Sequence, residues 1–117
     1  MTGKADGMEH ESREVGPVSV VSFRGEVDLE HSPVARDVLL GCVRAGRHLA
    51  VDLSGVSYID SSGIAGLIEA YQTAKSSNLQ FRLAQISGAV RRVLELAHLD
   101  RVFPIRDSIE DAMEDGG

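Results

Sequence analysis

The residues best placed to do chemistry are the run Asp60-Ser61-Ser62-Gly63. An apolar stretch precedes it, and Ile64, Leu67, Ile68, Tyr71 and Ala74 follow on one helical stripe, so the run marks a helix N-terminus. Asp60 is suited to accept a bond from the backbone N–H of Ser62 or Gly63. Ser61 then takes the first helical position, with its hydroxyl near solvent. Free N–H groups and the helix dipole favour negative charge at such a place. A phosphoryl group on Ser61 would add about −1.5 to −2 charge. It would gain from the helix end, be repelled by Asp60, and change the surface shown to a partner without refolding. The same residues also read as a plain cap and turn, and spacing alone does not separate the two.

A serine nucleophile needs a general base oriented by a third group. The histidines are His10, His31, His48 and His98. His31 lies near Asp28 in sequence and would reach Ser61 only if two loops meet. A satisfied or solvated His31 is the plainer reading, and the chain is not read as an enzyme. Gly63 and Gly66 suit a close-packed helix start and lack phosphate-loop spacing. No His/Cys/Asp cluster has metal-ligand spacing. No catalytic, cofactor or metal residue is therefore assigned. Asp100 and Asp107 flank a connector with no evident target.

The elements that must position this run alternate. Residues 1–14 are polar and without period, and they read as a flexible acidic tail. Val18, Val20, Val21, Phe23 and Val27 make a strand with imperfect alternation, interrupted at Gly25-Glu26. Ser32-Pro33 opens a helix, with Ser as cap and Pro at the first helical position. Leu49, Val51 and Leu53 form a short strand, and residues 55–59 a loop. After the Ser61 helix, closed by Asn78, Leu79, Phe81 and Leu83 alternate in a half-buried strand. Ser87 caps a third helix. Val102, Phe103 and Ile105 make a short apolar segment, and Asp107 with Glu110 caps a last helix. Alternation of this kind implies an α/β domain over residues 15–114, with helices packed on a sheet.

Composition narrows the partners. Twelve basic and 18 acidic side chains give a formal charge of −6 over 117 residues. Part of the excess lies at the ends, in Asp6, Glu9, Glu11 and Glu14 and in Glu110, Asp111, Glu114 and Asp115. Nucleic acid and anionic membrane are poor partners for such a chain. Arg91 and Arg92 with Arg101 could form a small basic patch, although a solvated helix face is the simpler reading. Cys42, the single cysteine, reads as a small buried hydrophobe. With no secretory signal and no membrane-length apolar run, a cytoplasmic protein is expected, and with no evident exposed apolar stripe, one that is monomeric when free.

The stretch VDLSGVSYIDSSGIAGLIEAYQTAK, with Gly25-Glu26-Val27-Asp28 upstream and SGAVRRVLELAHLDRVFPI downstream, resembles a STAS domain. The similarity runs from about Val18 to Ile109 and is nearest to the anti-sigma factor antagonist branch. The resemblance implies a small mixed sheet with helices mainly on one side. It implies that Ser61, the first serine of the block, is the phosphorylated residue. Asp28, Asp60, Ser61, Ser62 and Gly63 would form the partner-binding surface, with Ser62 chiefly structural. Val27 departs from the leucine of the family's Gly-Glu-Leu-Asp block. The implied partner is an anti-sigma factor that is also a serine kinase. The unphosphorylated form binds it and frees a sigma factor, and a serine phosphatase restores the binding form. The alternative is an accessory subunit of a membrane lipid-transport complex or another signalling assembly.

Overall fold

The computed structural model describes residues 2–5 and 7–114. Its sheet has the order β1 (Thr2–Ala5), β2 (Met8–Val15), β3 (Val18–Val27), β4 (His48–Ile59), β5 (Phe81–Ala84), β6 (Ile105–Arg106). The β1–β2 and β2–β3 pairs are antiparallel, and the β3–β4, β4–β5 and β5–β6 pairs are parallel. Helices α1 (Ser32–Arg44), α2 (Ser61–Ser76) and α3 (Gly88–Leu96) fill the parallel crossovers, and α4 (Ile109–Glu114) follows β6. This is the expected small mixed sheet, with its helices mainly on one face.

Side chains of alternate strand positions divide the core in two. Val21, Phe23, Leu49, Val51, Leu53 and Leu83 pack with Leu39 of α1, Leu67 and Ala70 of α2 and Leu94 of α3 in the main core. On the other face the buried apolar strand residues are Val20, Ala50 and Ala84, and Ala112 of α4 covers them with Ile109 and Met113 beside it. Because β5 is covered on both faces, all four of its residues, Arg82 included, are buried. The expectation of a half-buried strand is corrected on that ground.

The head of the chain is not a loose tail. Residues 2–5 and 8–15 form a hairpin that extends the sheet, with His10 opposite Phe23 and Ser12 opposite Val21. Polar side chains on both faces hide this strand from a periodicity reading. It is held by its backbone ladder and by Met8, which is 1% exposed. Asp6 and Asp115 of the acidic ends lie outside the described residues.

Other corrections concern local hydrogen bonding. Residues 55–59 are not a loop, because β4 runs on to Ile59 beside β3, with register shifts near Ser22/Arg24 and at Gly25/Glu26. The interruption expected at Gly25-Glu26 is one of these irregularities. Ser32 is not the cap of α1. It is the first helical residue, and His31 precedes it at the N-cap without a side-chain bond to the helix. At α4 the cap is Ser108, whose Oγ accepts from the Asp111 N–H at 3.1 Å, rather than Asp107. Ser87 does cap α3, accepting from the Val90 N–H. Asn78 closes α2 at φ 58°. Cys42 is partly exposed and packs at the edge of the main core.

Candidate functional site

Parallel strands β3 and β4 end side by side, so the loops that leave them meet at one edge of the sheet. The β4 loop is the single residue Asp60, and α2 begins at Ser61. Asp60 is extended, and its Oδ1 accepts from the N–H of Ser62 at 2.9 Å and of Gly63 at 3.2 Å. The Ser62 hydroxyl donates to the same oxygen. Two orphan donors of the helix end are thereby satisfied. Hydrogen bonds from the Ser62 hydroxyl, then from the backbone of Gly63, Ser62 and Leu29, hold the Asp60 carboxyl below the usual aspartate range.

Gly63 seats this helix end. A Cβ there would lie 2.5 Å from Val27 O and 2.7 Å from Ile59 Cγ1. Only a glycine lets α2 approach the ends of β3 and β4 this closely.

Ser61 is exposed at the first helical position, and its hydroxyl bonds to no other described residue. Ser62, by contrast, is turned back onto Asp60. Of two adjacent serines, one belongs to the cap and the other faces outward.

The β3–α1 loop flanks them. Asp28 folds this loop upon itself: Oδ1 accepts from the His31 backbone N–H at 3.0 Å and from His31 Nδ1 at 2.7 Å. Its carbonyl accepts from the Ser32 N–H at 2.7 Å. His31 is buried and held by Asp28, with no bond to Ser61, so the two do not form a nucleophile–base pair. The structure thus brings Asp28, Asp60, Ser61, Ser62 and Gly63 to one edge, while Asp28 and Ser62 chiefly shape the backbone there.

Two residues at this edge escaped the sequence reading. Leu29 is 76% exposed at the tip of the loop, and Tyr58 is 49% exposed near the end of β4. A leucine between Asp28 and Glu30 was the available signal. For Tyr58 there was none, because the segment read as a loop. Among the described residues no group of His, Cys, Asp and Glu could hold a metal, and no helix is long and apolar enough to cross a membrane.

A model of the STAS domain matches residues 9–112. The chain is similar to the anti-sigma-B factor antagonist of Bacillus subtilis, 26% identical over 94 residues that cover 80% of this chain and 86% of that protein. The crystal structure of an anti-sigma factor antagonist from Mycobacterium paratuberculosis superposes with a TM-score of 0.81 at 28% identity, covering 95% of each chain. The Bacillus cell fate determinant SpoIIAA in its phosphorylated form shares the fold, with a TM-score of 0.71 at 18% identity over 90% of this chain and 96% of that one.

Proposed function

The chain belongs to the STAS domain family, and on that premise we propose that it is an anti-sigma factor antagonist switched by phosphorylation of Ser61. The observation that carries this reading is the division of labour between the two serines. Ser62 is used up in the cap, while Ser61 stands exposed at the helix end with its hydroxyl bonded to no other described residue. The partner is an anti-sigma factor with serine kinase activity. Unphosphorylated protein binds it and a sigma factor is released.

Ser61 is then a substrate hydroxyl, and the chemistry belongs to the partner's active site. A phosphoryl group would arrive beside Asp60 and close to the Asp28–Glu30 loop. Burying about −1.5 to −2 charge among carboxylates in an interface is unfavourable unless cations match it. The helix end offers some compensation, so α2 persists while the complex does not. A serine phosphatase resets the switch. Exposed Leu29 supplies the apolar anchor that such a contact needs. On this reading the protein works in the cytoplasm, where its partners are.

Tagged wild type and Ser61→Asp, recovered from native cells, test the reading. An ATPase-fold kinase bound to wild type and lost from the variant supports it. A membrane transport complex recovered equally with both would instead assign an accessory subunit.

A further inference from the structure

The segments that flank Ser61 carry acidic side chains, and Arg36, which packs beside Gly66, is held by Glu69. Residues 25–35 and 57–68 carry Glu26, Asp28, Glu30 and Asp60 and no Lys or Arg. The neighbouring element is the opposite. Strand β5 stops at Ala84, opposite Asp52, so the β4 extension from Leu53 to Ile59 has no strand on that side. Helix α3 joins it there. The Ser87 N–H donates to Leu53 O at 3.3 Å, and Ser87 Oγ donates to Val56 O at 2.7 Å.

Arg91 and Arg92 follow at the start of α3. Both are exposed, and neither guanidinium group makes a hydrogen bond or ion pair with another described residue. Even Glu95, one turn beyond Arg91, is not paired with it. Arg36 and Arg47 differ, being held by Glu69 and by Ser19 with Glu14.

Both charge blocks fit one interface. Val56 to Ser61 spans at most roughly 17 Å of extended chain, and Ser87 to Arg91 rises about 6 Å along the helix. A standard interface covers about 800 Å² on each partner, roughly 30 Å across. Between the blocks β4 exposes Ser57 and Tyr58.

We propose that Arg91 and Arg92 form a second, positive pole of the Ser61 binding surface, and that the protein partner meets it with an acidic patch. This inference rests on the reading of Ser61 given above. Two poles of opposite sign fix the orientation of the partner, because a reversed approach sets like charges together. They also speed encounter, which makes association depend on salt. The guanidinium groups lose no bond to another described residue on binding and can pair with carboxylates in bidentate geometry.

The test is the association rate with the purified anti-sigma factor of the same organism, measured over a salt series. Four proteins are compared: wild type, Ser61→Asp, Arg91→Glu/Arg92→Glu, and Arg13→Glu/Arg44→Glu. The last makes the same charge change far from Ser61, on β2 opposite Val20 and in the last turn of α1. The α3 double variant should associate at least about tenfold more slowly with a flatter salt dependence. The control should stay within about twofold of wild type. An α3 variant within about twofold of wild type, or a control that falls as far, overturns the second pole. Equal binding of Ser61→Asp and wild type overturns the Ser61 reading whatever the arginines do. Failure of wild type to bind the anti-sigma factor overturns both.

Discussion

The backbone N–H of Leu29 donates to Asp60 Oδ2 at 3.1 Å, while the other oxygen of the same carboxylate caps α2. One side chain therefore holds both the helix that starts with Ser61 and the loop that presents Leu29. The two halves of the surface are not independent. Anything that displaces Asp60 moves the serine and the apolar tip together.

Asp60→Ala should lower stability by about 1 kcal/mol, within the usual range for loss of a cap, read from the urea midpoint. The pH dependence follows from the depressed pKa. A carboxyl whose folded value lies below its unfolded value stabilises the protein above the unfolded pKa, about 4. That contribution disappears as pH falls through the folded value. Wild type and Asp60→Asn should therefore differ most near neutrality and converge in acid.

Gly63→Ala places a methyl 2.5 Å from Val27 O, where backbone must give way. A cost of about 1–3 kcal/mol is expected for such overpacking, with the Ser61 helix end displaced. Thermal unfolding and the amide shifts of Ser61 and Leu29 report the two effects. The surface variant Ser61→Ala should leave thermal unfolding and the Leu29 amide shift unchanged.

The hairpin is part of the folded domain, so deleting residues 1–15 should not give a stable protein. It would strip the outer neighbour from β3 and uncover Val21 and Phe23 beside it. Met8→Ala, a smaller change at a residue 1% exposed, should cost about 2–5 kcal/mol. Denaturant midpoints of the point variant and solubility of the truncation check this.

What the sequence made legible was what side-chain period records. The stripe from Ile64 to Ala74 and the Asp60 cap could be read directly, because a helix end has few chemical solutions. Strand β2 could not. His10, Ser12 and Glu14 face the helix side and Glu9, Glu11 and Arg13 the other, and neither set is apolar. The end of β4 was missed for a related reason. Gly55, Ser57 and Tyr58 lie where β5 no longer runs alongside, so solvent replaces packing and alternation fades. The bond between Leu29 and Asp60 joins residues 31 apart in sequence and has no local signature.

On the proposed reading, phosphorylation at Ser61 ends binding to the anti-sigma factor without unfolding the domain. The most direct measurement is calorimetric titration of the purified anti-sigma factor with unphosphorylated and Ser61-phosphorylated protein, with circular dichroism of both. The two forms should share one fold, and the affinity of the phosphorylated one should be lower by at least about tenfold, or about 1.4 kcal/mol. Equal affinity of two equally folded forms would contradict it and leave Ser61 as the first residue of a well-capped helix.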